Sequence, residues 1–393
     1  MAMDDSTDAA DRLTNLPDEL IHRIISFLPT RDAVRTCILS SSWRNFWEYA
    51  NRVDFNTADF ASKNGFASFV DSRMARYESK GLSIDSFWIR SCRSHDFLDD
   101  KRTNIWVRSA VRSKARVIGI RYYRQLELLK LDCDTFGSRC LKEIYLIRVS
   151  ISDAMLLNLS SGCPSLETLE LKGCLFGKAQ LSSASLKFLS IDARVIDGDQ
   201  DHFLDTFTLL MLRATEGGAR CTPSLGKMQA LFKTTIYLDD YTFSDVSDRW
   251  DMFSLISQAP ELRLLSSTGN IVEEVLTHSF RFPKWVFLRN LVRVTVSDWC
   301  YISDCNLLAQ LLALSPCLKK LTLKFNKRSQ IVFNSQVSPF ECPSLRHLEI
   351  EGWETDNRIN CVVQILRQNV PSLETVHIKL LRLVPHDTEG FWQ

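Results

Sequence analysis

The chain has 393 residues, 45% hydrophobic and 24% charged, with 48 Lys and Arg against 47 Asp and Glu, a formal net charge of +1. That length holds two or three ordinary domains, or one small module plus an extended array, and the charge balance excludes a general affinity for polyanions. The start, MAMDDSTDAADR, is acidic and polar, unlike a secretory or transit signal, and no apolar run is long enough to span a bilayer, so nucleus and/or cytoplasm is the expected location, with no membrane partner.

Residues 1–12 read as a disordered tail. Residues 13–50 then pack three short helix signals into a span too small to bury a core of its own. Pro17 suits a first helical turn, where its missing N–H costs nothing, and Asp18 and Glu19 complement the positive end of the helix dipole. Leu20, Ile24, Ile25 and Leu28 recur at helical spacing, which makes the first helix amphipathic. Pro29 stops it. Thr30 can cap a second helix running through Val34, and Ser40 or Ser41 can cap a third that carries Trp43, Phe46 and Trp47. So much apolar surface on so small a unit marks a docking module.

In residues 51–80, Phe66, Phe69, Val70, Met74 and Tyr77 recur at helical spacing, and Gly81 is placed to end the helix; this segment reads as a linker helix. From residue 81 to 393 the organising signal is repetition. An L-x-x-L-x-L phrase, with other aliphatics allowed, occurs as Leu141-Ile144-Leu146, Leu166-Leu169-Leu171 and Leu186-Leu189-Ile191. It returns as Leu291-Val294-Val296, Leu318-Leu321-Leu323, Leu345-Leu348-Ile350 and Leu373-Val376-Ile378. The starts lie roughly 20–28 residues apart within each group, the leucine-rich-repeat range. Each phrase supplies a short strand, and stretches such as Met155-Leu156-Leu159, Leu307-Leu308-Leu311-Leu312 and Val362-Val363-Ile365-Leu366 supply helices between them. One repeat cannot bury its apolar face, so the repeats must stack into a solenoid.

The array is uneven. Residues 82–89 and Val117-Ile118-x-Ile120 are strand candidates, with Trp106, Val107, Ala110 and Val111 as a helical stripe between them. Leu126-Leu129-Leu131 fits the phrase but lies too close to Leu141 for a full repeat. Over residues 192–260 the phrase is degraded, with weaker strands at Thr234–Leu238 and Leu262–Leu265 and a loop at Glu216-Gly217-Gly218. Divergent repeats and an insertion both fit that stretch. The twelve cysteines, several at equivalent points such as Cys163 and Cys342 in CPSL and Cys317 after Pro316, read as small buried hydrophobes. None forms a C-x-x-C pair, so neither zinc nor a reactive dithiol is expected.

Between Lys101 and Leu126 there are eight basic residues and no acid, with Trp106, Tyr122 and Tyr123 interleaved. Arg108 and Arg112 fall opposite the apolar stripe of their helix, so the stretch reads as a solvated or acidic-partner face rather than a nucleic-acid site.

The N-terminal residues also carry a resemblance. Leu16-Pro17-x-Glu19-Leu20, Ile24-x-Ser26-x-Leu28-Pro29, Asp32-x-Val34-Arg35 and Ser40-x-x-Trp43-Arg44 match the F-box pattern in order and spacing. One departure is visible: many F-boxes carry Lys or Arg after the serine near the third helix, where this chain reads Ser40-Ser41-Ser42. With the repeats, and phrases such as DRLTNLPDEL, FLPTRDAVRT and CPSLETLEL, residues 11–380 resemble plant-type F-box/leucine-rich-repeat proteins.

That resemblance implies an α/β fold in which a three-helix F-box precedes an irregular leucine-rich-repeat solenoid. It implies a substrate-recognition subunit of an SCF-type (Skp–cullin–F-box) ubiquitin ligase, which performs no chemistry itself. A Skp-family adaptor, and through it a cullin-RING ligase, would dock on Leu16, Pro17, Leu20, Ile24, Leu28, Pro29, Val34 and Trp43, some of which must instead pack the box internally. An unknown protein substrate would bind the repeats, with Tyr145, Glu170, Lys320 and His347 as weak candidates on the strand faces. No P-loop, G-x-G-x-x-G, H-E-x-x-H or G-x-S-x-G occurs, so no catalytic residue, metal or cofactor is expected. Two alternatives stay open: a small-molecule-gated receptor on the same scaffold, and an interaction scaffold outside ubiquitination.

Overall fold

A computed structural model describes residues 16–28, 30–39, 42–92, 97–123, 127–132, 134–192, 224–238, 259–266, 288–297, 305–325, 337, 339–354 and 356–381. The chain divides into two compact units, Met1–Leu166 and Glu167–Gln393. The expected box, linker helix and first strands therefore share one unit.

The first unit opens with two helices, α1 (Asp18–Phe27) and α2 (Thr30–Arg35), and two 3₁₀ helices, Thr36–Ile38 and Ser42–Tyr49. Pro17 sits at the N-cap of α1, its carbonyl accepting from the Leu20 and Ile21 N–H groups at 3.0 and 3.1 Å. The expected third helix is thus 3₁₀, and its Ser40 and Ser41 cap candidates lie outside the described residues. Thr30 is not a cap either. It is the buried first residue of α2, and its hydroxyl accepts from the backbone N–H of Asp54 at 2.6 Å.

Asp54 belongs to β1 (Arg52–Asn56), inside the segment read as a linker. After β1 come α3 (Lys63–Lys80), β2 (Ser86–Arg90), α4 (Asp100–Arg112), β3 (Val117–Arg121), the short β4 (Leu129–Lys130), β5 (Glu143–Ile147), β6 (Val149–Ile151) and α5 (Asp153–Gly162). Strands β1, β2, β3 and β5 form a parallel sheet in that order. The short β4 pairs instead with β6, which is how the crowded Leu129-Leu131 phrase is accommodated without a full repeat.

Helix α3 forms where the spacing places it. Its buried side includes Phe66, Val70, Met74 and Tyr77, Ser62 caps its start by accepting from Gly65 N–H at 3.1 Å, and Gly81 closes it at φ +62°, a conformation that suits glycine.

The second unit holds β7 (Thr168–Lys172), β8 (Leu175–Phe176), β9 (Gln180–Ser183), β10 (Phe188–Asp192), β11 (Ser224–Met228), β12 (Lys233–Leu238), β13 (Glu261–Ser266), β14 (Arg293–Ser297), α6 (Asn306–Ala313), β15 (Lys320–Lys324), β16 (His347–Trp353), α7 (Arg358–Asn369) and β17 (Thr375–Leu381). Strands β7, β10, β12, β13, β14, β15, β16 and β17 run parallel in that order. A helical module followed by a long parallel sheet of many strands is the α/β architecture of leucine-rich-repeat solenoids.

Register shows how the phrase builds the core. Leu169, Leu189, Thr234, Leu262, Val294, Leu321, Leu348 and Val376 stand side by side across the second sheet. Because strand side chains alternate between faces, every second residue is buried and the others are partly exposed. A backbone device repeats as well: Leu166, Leu291, Leu318, Leu345 and Leu373 each close a turn onto the carbonyl three residues earlier.

The degraded stretch is explained by the same ladder. Strand β12 continues the array between β10 and β13, but Thr234 occupies a slot that aliphatics fill elsewhere. It is fully buried, and its hydroxyl finds no hydrogen-bond partner among the described residues. The expected loop at 216–218 lies outside the described residues.

The last phrase departs from the others: Leu373 and Val376 are half-buried and Ile378 is exposed. Among the described residues β17 is paired on one edge alone, so its side chains lack a second neighbour. Cys163 and Cys342 are buried, their thiols donating to the Phe136 and Ser315 carbonyls at 2.9 and 3.7 Å, and burial pushes the Cys342 thiol up to about 11. Cys317, by contrast, is exposed, as is Cys140. The slot that Cys342 fills is held in the preceding repeat by Ser315, which is buried, so Cys317 lies two residues past the inward position.

Candidate docking site

Helix α1 carries two apolar stripes at i, i+4, i+7 spacing. Ile21 and Ile25 point inward and, with Ala33, Trp43 and Ala50, make the core of the box; Leu28 packs partly buried against them, as do Leu16, Phe46 and Trp47. The second stripe, Leu20, Ile24 and Phe27, faces outward at 46%, 39% and 69% exposure. Ile38 at 83% and Leu39 at 51% add exposed aliphatic surface at the end of the Thr36–Ile38 helix. One helix cannot turn both stripes into so small a core, so the second stays on the surface.

The sequence-derived residues are distributed unevenly over this module. Leu20, Ile24 and Pro17 are exposed, Leu16, Leu28 and Val34 are half-buried, and Pro29 lies outside the described residues. Trp43 is 2% exposed and fills the box core. Its indole fills the centre of this small core, so it is one of the residues that pack the box internally. Phe27, Ile38 and Leu39 escaped the sequence reading. Phe27 could have been found by extending the Leu20–Ile24 stripe one turn, whereas a three-residue 3₁₀ helix carries no periodicity to read.

A buried arginine ties the box to α3. The Arg73 guanidinium donates to the Trp47 and Glu48 carbonyls, both at 2.7 Å, so it satisfies the open C-terminal end of the Ser42–Tyr49 helix with a cation. It also donates to the Tyr77 hydroxyl at 2.7 Å and lies over the Trp47 and Tyr77 rings at 4.9 and 4.6 Å. Tyr77 in turn donates to the Ala50 carbonyl, and Arg76 pairs with Glu48. Burial pushes the Tyr77 phenol from 10.0 to about 12, against the opposing pull of Arg73, and lowers Arg73 itself. The module is thereby tied to α3 within the first unit.

The substrate candidates sit on strand faces. In the first unit, Tyr145 stacks on Trp88 with ring centroids 5.2 Å apart and donates to Glu143 at 2.8 Å. In the second, Glu170 pairs with Lys172 at 2.6 Å, Lys320 with Glu349 at 2.6 Å, and His347 Nδ1 shares a 2.8 Å hydrogen bond with Thr375. The Lys320 ammonium holds the Glu349 carboxyl below the usual carboxylate range. All four candidates therefore engage neighbours on their own sheet.

Two arginines of the basic stretch are likewise engaged. Arg108 bridges Asp132 and Asp134 at 2.6 and 2.8 Å, and Arg112 reaches Glu78 at 3.9 Å. Among the described residues, no group of three or more His, Cys, Asp and Glu side chains is placed to hold a metal, and no helix is long and apolar enough to cross a membrane.

A small helical module with an outward apolar stripe precedes a many-stranded parallel array. Residues 13–53 match the F-box domain. Over most of the chain the similar proteins are F-box/FBD/LRR-repeat proteins of Arabidopsis thaliana. One is 25% identical over 393 residues, 88% of this chain and 85% of the relative; another is 27% identical over 379 residues, 87% and 82%. An FBD-associated F-box protein of the same plant is 49% identical over 61 residues, 16% of this chain and 14% of its own length. Three further relatives align over 39%, 40% and 39% of their own length, so the chain spans about two fifths of those proteins. The chain has an F-box domain and is a homologue of the plant F-box/leucine-rich-repeat proteins.

Proposed function

We propose that this protein is the substrate-recognition subunit of an SCF-type ubiquitin ligase. The observation that carries the reading is the outward stripe of Leu20, Ile24 and Phe27 on a domain that matches the F-box. A Skp-family adaptor covers that stripe together with Ile38 and Leu39, while Pro17 and the half-buried Leu16, Leu28 and Val34 line its margin. Trp43 supports the face from within.

The repeat array holds a protein substrate, and a cullin-RING assembly reached through the adaptor brings charged ubiquitin to it. Rate enhancement then comes from effective concentration rather than from a catalytic residue of this chain. The Arg73 anchor suits that task, because a receptor that sets the distance between adaptor and cargo needs a stiff joint. A place of action in the nucleus or cytoplasm, where cullin-RING ligases work, goes with this reading.

Co-expression of the full chain with a Skp-family adaptor and a cullin tests it. A single complex containing all three proteins on size-exclusion chromatography is the expected result. A folded chain that elutes apart from several adaptor paralogues would overturn the ligase assignment.

A further inference from the structure

On the open face of the first-unit sheet, register places Asp54, Trp88, Gly119 and Tyr145 in one row across β1, β2, β3 and β5. Gly119 has no side chain for a reason that the geometry makes plain: a Cβ there would run into the Trp88 ring. The indole lies across the vacant position and stacks on Tyr145, the ring planes 29° apart, so the two rings make one plate over the sheet. Both rings are partly exposed.

The next row brings charge to the edge of that plate. Arg121 lies over the Trp88 ring at 5.7 Å, and its Nε is buried without a hydrogen-bond partner among the described residues. The carboxylates of this face are already engaged. Asp54 is held by Arg90, whose Nε donates at 3.1 Å, and Glu143 accepts from the Tyr145 hydroxyl. A guanidinium stacked on an aromatic keeps its donor edge in a fixed plane, the arrangement that favours a carboxylate.

We infer that Trp88, Tyr145 and Arg121 form a subsite for an extended protein segment that presents an aspartate or glutamate beside an aromatic or apolar side chain. The carboxylate pairs with Arg121, and the neighbouring side chain lies on the Trp88–Tyr145 plate. Charge complementarity commits the occupant: the free donor edge is cationic, and the face offers no available carboxylate of its own among the described residues. The inference rests on the substrate-receptor reading and names the class of segment that the receptor takes.

The test uses the full chain in complex with its Skp-family adaptor as bait for a random peptide library displayed on phage. Enriched peptides should carry Asp or Glu within a few residues of an aromatic or large apolar side chain. Their synthetic versions should lose roughly tenfold or more in affinity against Arg121→Gln, while adaptor binding and the thermal midpoint stay unchanged. Arg121→Glu should shift the selection toward Lys and Arg. Enrichment without acidic residues, affinity indifferent to both Arg121 variants, or no enrichment at all on an adaptor-bound chain would each overturn the subsite and leave the receptor reading standing. Failure of the wild-type chain to bind the adaptor would sink the receptor reading, whereas the peptide profile alone decides the subsite.

Discussion

The box and the repeat array expose opposite kinds of surface. On the box, the outward stripe of α1 is Leu20, Ile24 and Phe27, with nothing polar to satisfy and no core left to enter. On the second-unit sheet, the outward residues include Lys233, Glu261, Lys320, Glu349, Lys324 and Glu351, which pair off at 2.6–2.9 Å. An apolar surplus announces a partner, because burying it is favourable wherever a complementary surface exists. A face whose charges pair off announces none, since a solvated sheet looks the same whether or not cargo visits it. The two regions therefore differ in how much function can be read from them, although both are legible as structure.

This comparison can be pressed at several points. The largest effect is expected deep in the array, where Arg358 and Asp356 form an ion pair with both side chains buried, at 2.6 Å, and Arg358 lies over Phe325 at 5.2 Å. Asp356→Ala removes the buried carboxylate that pairs with Arg358 and should cost about 3–5 kcal/mol in denaturant-induced unfolding. Adaptor affinity should be untouched in what remains folded.

The box joint should respond to base. Tyr77 has its folded-state pKa raised, so its contribution to stability is fully present below pH 10.0 and disappears as pH rises through about 12. A chemical-denaturation series across that window should show the first unit loosening, and Tyr77→Phe should remove that dependence while leaving the Arg73–carbonyl bonds in place.

A gain is expected at Thr234, the one hydroxyl in an aliphatic ladder. Thr234→Val keeps the shape and removes a buried polar group that has no partner among the described residues, which should raise stability by about 1 kcal/mol in thermal or urea melts. The smallest effect belongs to the outward charges: Lys320→Ala should change stability by less than about 1 kcal/mol, as for exposed ion pairs in general. A large loss there would mean that the paired face is a structural element rather than a solvated surface.

How much the sequence showed follows the same division. Periodicity placed α3 and its Gly81 stop, and the repeated phrase placed β5, β7, β10 and β14 to β17, because their inward residues are aliphatic and regularly spaced. It weakened at β12, where Thr234 interrupts the ladder, and missed β1, which has a single short run and sits before any repeat. On the docking face, Leu20 and Ile24 were legible as part of an amphipathic helix, but spacing alone does not say which of two adjacent stripes meets the core. Trp43, one of the eight motif positions of which some were expected to pack the box internally, lies in its five-residue core. The Trp88–Tyr145 plate joins residues 57 positions apart through strand register, which no local pattern reveals.

The most direct test of the account is calorimetric titration of a purified Skp-family adaptor into the wild-type chain and into Leu20→Ala/Ile24→Ala/Phe27→Ala. The account predicts that the triple variant unfolds within a few degrees of wild type, because all three side chains face outward, yet binds at least roughly a hundredfold more weakly. Equal affinity in the two folded proteins would contradict it and would move the docking face off the outward stripe of α1.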